Sequence, residues 1–267
     1  MKFNTIRFEE PEEGLGLITL NRPERLNAIN LEMLDEMHVL YEQLRVSEKV
    51  RVLILTGEGR GFSSGADLTD TKVLEQVSRL FQDPATYLIH VQKKYANLIL
   101  EMRRLPQPII AAVKGPAAGG GFCMALASDV VIAAPSAKFV ASFINLGLSG
   151  GELGSTYFLP RLVGLTRAAE ILMTGRTVEA AEAEKMGLVC RVVAEDKLLD
   201  SALETARLML AKSYMGLLQT KEALNQNLTA PNLEAALELE NRNQTICIFT
   251  PAFRQAVEAF TGKKLST

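Results

Sequence analysis

This chain of 267 residues has no tryptophan, two histidines and three cysteines, and the cysteine pattern removes two classes of protein. The cysteines, Cys123, Cys190 and Cys247, are far apart and odd in number. They form neither a disulfide framework nor the paired spacing of a zinc site, so a reducing, cytoplasmic setting is expected. No apolar run approaches ~20 residues, and no membrane-spanning helix is predicted. Residues 1–14, "MKFNTIRFEEPEEG", are charged and acidic, unlike a secretory signal or an Arg-rich transit peptide. A formal net charge of -2 gives no global pull toward nucleic acid or an anionic membrane, and no Lys/Arg-rich helix is present. Metal, nicotinamide and flavin motifs are missing, so none of those cofactors is expected. What remains is the composition of an ordinary globular protein, 48% hydrophobic and 22% charged. The length suffices for one sizeable core, or a core plus a small helical appendage.

Against that plain background, Ile109 to Ile132 stands out: "IIAAVKGPAAGGGFCMALASDVVI". A β-leaning apolar run meets a Pro/Gly turn and three glycines (Gly119, Gly120, Gly121), and a small-residue helix is predicted from Phe122. Glycines allow a sharp turn and close approach to the backbone. The first N–H groups of a helix have no intrahelical partner and lie at its positive end. These are the parts of a site for a negatively charged oxygen. A Gly-Gly-Gly by itself also fits a plain strand–helix junction. Val52 to Leu68, "VLILTGEGRGFSSGADL", repeats the layout with a strand buried on both faces, broken by Gly57, Gly59 and Gly61. Two such turns could each offer one N–H to the same carbonyl oxygen, forming an oxyanion hole for an enolate or a thioester intermediate.

Strands are predicted near Ile18, Val52, Ile109 and Val130, each followed by helical sequence, which favours α/β with largely parallel pairing. Leu31, Leu34, Leu40 and Leu44 share roughly one helix face, with Asn30 as its N-cap. Thr69 to Tyr95 is less regular and reads as a mobile segment flanking the site. From Pro231 onward the pattern is strongly helical.

Four segments resemble the signatures of the enoyl-CoA hydratase/isomerase, or crotonase, superfamily. They are "LITLNRPERLNAIN" (Leu17 to Asn30), "GFSSGADL", "QPIIAAVKGPAAGGGF" and "LMTGRTVEAAEAEKMGLV" (Leu172 to Val189), in family order and spacing across nearly the whole chain. The resemblance implies a spiral of ββα units over residues 1–200. It also implies a C-terminal helical region, 201–267, that packs on the core and on neighbouring subunits in trimers or hexamers. It implies an acyl-CoA thioester as substrate, with coenzyme A as part of that substrate and no separate cofactor. By the same resemblance, Ala66 and Gly120 supply the two oxyanion N–H groups. Leu26, Ala28, Ser64, Ala66, Asp67 and Leu68 match the coenzyme A site; Arg25 could reach its phosphate, and also fits a solvated surface arginine. The tail "EAFTGKK" places Phe260 and Lys263 or Lys264 near a neighbour's coenzyme A. Asp67 has a second reading, the cap of a backbone turn.

The departures from the family pattern bear on the reaction. Family hydratases carry two glutamates where this chain has Cys123 and Phe143. Activation of water by a base and an acid is therefore unavailable at the usual places. One acid survives in "GLSGGELGSTYFLPRLVG": Glu152 stands five residues before Tyr157 and eight before Pro160. That spacing resembles the 3-enoyl-CoA/2-enoyl-CoA isomerases, in which one carboxylate moves a proton from C2 to C4. Glu152 also fits a solvated loop residue. Cys123 could be a nucleophile at a helix start or, as cysteine more often is, a small buried hydrophobe. Three readings stay open: an isomerase using Glu152, a hydratase of altered active site, and a catalytically silent thioester-binding protein. RNA binding, known for a few family members, has little in the sequence to support it.

Overall fold

The apolar runs around Ile18, Val52, Ile109 and Val130 all become strands of one sheet. The computed structural model describes residues 3–69 and 84–264. The chain begins with β1 (Ile6–Glu12), β2 (Leu15–Leu20), α1 (Leu31–Arg45) and β3 (Val52–Gly57). After the gap come α2 (Pro84–Tyr87), a π-helical turn (Leu88–Gln92), α3 (Lys93–Arg104), β4 (Ile109–Val113), β5 (Pro116–Ala118) and α4 (Gly120–Ala127). Then follow β6 (Val130–Ala133), β7 (Lys138–Val140), α5 (Ser155–Val163), α6 (Leu165–Thr174), β8 (Thr177–Glu179), α7 (Ala180–Lys185) and β9 (Arg191–Val192). The chain closes with α8 (Leu198–Leu210), α9 (Tyr214–Asn227), α10 (Leu233–Ile248) and α11 (Pro251–Thr261).

The large sheet has the order β1-β2-β3-β4-β6-β9, and every pairing after the antiparallel β1–β2 hairpin is parallel. A smaller sheet, β5-β7-β8, forms a second layer. Isolated bridges extend this pattern to earlier parts of the chain: Ser63 pairs with Ala117 of β5, and Ile29 pairs with Ala66. Each turn of the chain thus runs through the large sheet, crosses beside its predecessor, and returns through a helix. This is the spiral of ββα units that the resemblance implied.

β3 shows why its run is apolar throughout. Leu53 and Leu55 face the core beneath α1, α3 and α4, whereas Val52 and Ile54 face Leu198, Ala202 and Ala206 of α8. A strand covered on both faces has no polar side to present. In α1, the Asn30 side chain accepts a hydrogen bond from Met33 N (2.9 Å), and Leu31, Leu34, Leu40 and Leu44 are buried, as their spacing predicts.

Two expectations change, the start of one helix and the irregularity of the segment before Tyr95. Helix α4 starts at Gly120 rather than Phe122, because Gly119, at φ +51°, turns the chain directly into it. Residues 84–95 are helical, while residues 70–83 of the segment read as mobile lie outside the described residues. The division at 200/201 falls inside α8, a helix packed on the large sheet. The helices beyond it, α9 to α11, leave Phe249 and Phe260 exposed, the latter at 93%. Among the described residues, no helix is long and apolar enough to cross a membrane.

Candidate active site

The site begins with two loops stitched to a third. Leu26 and Asn27 both take the left-handed conformation (φ 50° and 54°) without a glycine. Asn27 is buried, and its side chain satisfies the bend: Nδ2 donates to Glu58 O (2.9 Å) and Gly61 O (2.8 Å), while Oδ1 accepts from Arg22 N (2.9 Å). Asparagine tolerates this conformation because its short polar chain bonds locally. Ser64 N donates to Leu26 O (2.9 Å), Ile29 N to Gly65 O (2.7 Å) and Asp67 N to Ile29 O (2.8 Å). On the other side Ser63 N donates to Pro116 O and Ala118 N to Ser63 O, each at 2.9 Å.

These ladders press the Gly65 turn onto the start of α4. A Cβ on Gly65, at φ +91°, would lie 2.8 Å from Ala118 O and 3.3 Å from Gly120 N. A Cβ on Gly121 would lie 2.5 Å from Ser63 O. Only glycine permits such contact between the two backbones. The amides of Ala66 and Gly120 have no hydrogen-bond acceptor among the described residues. Gly120 N is also one of the orphan donors at the positive end of α4. The chain therefore brings together two N–H groups available to an anionic oxygen.

Glu152 is held on a loop against Cys123 of α4. Its N–H donates to Ser155 Oγ (3.0 Å), and its carbonyl accepts from Ser155 N (2.9 Å) and from Cys123 Sγ (3.4 Å). The next residue, Leu153, has φ +48°, and its Cδ1 lies 3.7 Å from where a Gly120 Cβ would stand. Gln92 Nε2, from the π-helical turn, donates to Glu152 Oε1. Burial, and then the Glu152 charge, raises the Tyr87 hydroxyl above the ordinary tyrosine range. Beyond Leu153 opens a cavity of about 540 Å³, walled chiefly by Ala96, Ile99, Leu100, Tyr157 and Phe158.

The two positions where family hydratases carry glutamates are apolar in space as well as in sequence. Cys123 is fully buried. Burial, reinforced by the Glu152 charge, pushes its thiol far above the usual range and keeps it neutral. His38 pairs with Glu101 and His90 is exposed, so no imidazole activates the thiol, and Cys123 is a small buried hydrophobe. Phe143 is 9% exposed, with its ring edge 3.5 Å from where a Gly119 Cβ would stand.

Of the residues matched to coenzyme A, Ser64, Ala66 and Leu68 lie on one strand of the stitched loops, and Leu26 and Ala28 lie on the other. Arg25 and Leu68 are exposed, and Ala28 is buried. Asp67 is engaged inward instead. It is 6% exposed; Oδ2 accepts from Arg22 Nη2 (2.8 Å), and Oδ1 accepts from Thr69 N (3.0 Å) and Oγ1 (2.7 Å). Burial works to raise its pKa, but the bonds from Thr69 and Arg22 outweigh it and hold the carboxyl below the usual range. Its second reading, a turn cap, describes this geometry. Lys263 is exposed past α11 and bonds only Thr261 among the described residues, so this chain does not bring it to its own loops. Sequence reasoning passed over Asn27, Leu153 and Gln92. Asn27 lies within the Leu17–Asn30 segment, where its side-chain bonds carry no sequence signal, and nothing in a lone glutamine marks Gln92.

The sequence profile of the enoyl-CoA hydratase/isomerase family matches residues 10–266. The chain belongs to this family. It is 44% identical over 252 residues to a Mycobacterium bovis protein named probable enoyl-CoA hydratase, covering 94% of this chain and 88% of that protein. It is 38% identical over 254 residues to the Escherichia coli protein named 1,2-epoxyphenylacetyl-CoA isomerase, covering 95% of this chain and 94% of the relative. Among solved structures, a monofunctional enoyl-CoA isomerase from Mycobacterium smegmatis superposes with a TM-score of 0.73 at 42% identity, covering 87% of this chain and 98% of that one. The fold is accordingly the crotonase fold, mixed α/β with C-terminal helices. Among the described residues, no cluster of three His, Cys, Asp or Glu side chains could hold a metal ion.

Proposed function

We propose that this family member moves a double bond, converting 3-enoyl-CoA to 2-enoyl-CoA with Glu152 as the one acid/base. The observation that carries this reading is the pairing of Glu152 beside the glycine turn with Cys123 and Phe143 where two hydratase carboxylates would stand. The thioester oxygen lies between the amides of Ala66 and Gly120. Glu152 takes the proton from C2, the negative charge passes to the thioester oxygen, and the same carboxyl returns the proton at C4. Backbone donors fixed before the reaction stabilise that charge without having to reorganise. A site with one carboxylate and apolar neighbours suits proton transfer along a chain better than capture of water, which needs a base and an acid together.

Coenzyme A lies along Leu26, Ala28, Ser64, Ala66 and Leu68, with Arg25 toward phosphate. The exposed Phe260 and Phe249 support assembly into trimers or hexamers, in which Lys263 or Lys264 meets a neighbour's coenzyme A. Light scattering at micromolar concentration gives a mass of at least three chains, and a monomer contradicts the assembly. The hydratase alternative is favoured by the name of the Mycobacterium bovis relative. Parallel assays with 3-enoyl-CoA and 2-enoyl-CoA separate the readings. Isomerisation faster than hydration supports the proposal, rapid hydration supports the alternative, and turnover of neither indicates a silent binder.

A further inference from the structure

Gln92 occupies the last position of the π-helical turn, directly before α3. A π-turn inserts an extra residue into a helix and re-aims the side chains beside it. Here it delivers Gln92 Nε2 to Glu152 Oε1. The main chain of Glu152 is fixed by other groups, the bonds to Ser155 and Cys123. What the main chain leaves open is rotation of the acid's side chain, and Gln92 restrains it at Oε1.

We propose that Gln92 is a positioning residue that assigns different tasks to the two carboxyl oxygens of Glu152: Oε1 is held by the amide, and Oε2 carries the proton. This rests on the isomerase reading. An amide nitrogen donates but does not accept. A proton on Oε1 would face the hydrogens of Nε2, so Oε1 remains an acceptor throughout the cycle. Oε2 takes the proton from C2, and the C–H electron pair becomes the C1–C2 double bond of a dienolate whose charge lies on the thioester oxygen. When C4 takes the proton from Oε2, the C1–O double bond re-forms and the chain double bond moves from C3–C4 to C2–C3. No atom or electron is gained or lost. A carboxyl that cannot turn also keeps the proton in transit away from solvent.

Gln92→Leu keeps the bulk and removes the donor, and Gln92→Met repeats the test should the leucine chain fold poorly. The readouts are kcat and KM for 3-enoyl-CoA, and the deuterium found at C4 after turnover in heavy water. We expect kcat to fall roughly tenfold to a hundredfold, as for a misplaced reacting group, with KM little changed and more deuterium at C4. A merely structural glutamine would instead raise KM and leave the deuterium content alone; that result, or unchanged kcat and deuterium, overturns the proposal. Should the wild type leave 3-enoyl-CoA untouched, the isomerase reading fails by itself. Gln92 is then judged by the nuclear magnetic resonance of its side-chain amide protons, which Glu152→Leu must shift; an unmoved signal removes the hydrogen bond on which the proposal stands.

Discussion

The amide nitrogen of Gly120 lies 3.3 Å from the point where a side chain on Gly65 would begin. This contact sets the spacing between the Ala66 and Gly120 amides, and two glycines maintain it. Gly121→Ala would place a methyl 2.5 Å from Ser63 O, where backbone rather than a flexible side chain has to give. The two loops should part and turnover should fall by roughly 10²–10³, the loss typical of one oxyanion donor. Gly65→Ala meets a further penalty of about 1–2 kcal/mol for a left-handed backbone with a Cβ. Steady-state kinetics and thermal melts of both variants check this. Wild-type turnover in Gly121→Ala would show that the spacing does not matter.

The cysteines should differ sharply toward an alkylating agent. Cys190 is exposed and reacts first. Cys123 is buried, and its thiol is held neutral by burial and by the Glu152 charge, so it reacts last. Mass spectrometry of timed iodoacetamide reactions reads the order, and early labelling of Cys123 would contradict it.

Asp67 makes stability depend on acid. Its folded-state pKa is lowered, so the native chain binds fewer protons than the unfolded chain below the unfolded value of about 3.9. The stabilisation is fully present above that value and is lost as pH falls through the folded-state value. Asp67→Asn should cost about 1–2 kcal/mol near neutrality, because charge-assisted bonds to Arg22 and Thr69 are weakened. It should also flatten the acid limb of a urea-denaturation series. An unchanged acid limb would mean that the ion pair is not coupled to folding.

The apolar cavity beside Leu153 predicts chain-length selection. Ala96 is a small side chain in its wall, one helical turn beyond Gln92. Ala96→Phe should depress kcat/KM for a long 3-enoyl chain far more than for a short one, without touching Ala66, Gly120 or Glu152. Equal losses at both lengths would place the acyl chain elsewhere.

Much of this architecture is legible in the residues. The buried run Val52–Leu55, the Asn30 cap and the Gly119–Gly121 turn each follow from a local rule, and the structure places them accordingly. Two features resisted for physical reasons. Helix α8 reads as part of a C-terminal appendage, yet Leu198, Ala202 and Ala206 complete a sheet face whose strands lie far back in the sequence. Gln92 lies 60 residues from Glu152 and meets it through tertiary folding and a π-turn that no periodicity announces. Asp67 shows the converse problem: its motif is plain in the sequence, but whether its carboxyl faces ligand or Arg22 depends on the neighbouring loop.

The most direct test of the central claim is the turnover of 3-enoyl-CoA by Glu152→Gln, measured beside wild-type hydration of 2-enoyl-CoA. The substitution keeps the size and polarity of the side chain and removes the base. Isomerisation should fall by roughly 10²-fold or more, in line with general acid–base contributions, while acyl-CoA affinity stays near the wild-type value and wild-type hydration stays slow. Full isomerase activity in the glutamine variant, or rapid hydration by the wild type, would contradict the assignment of Glu152 as the single acid/base.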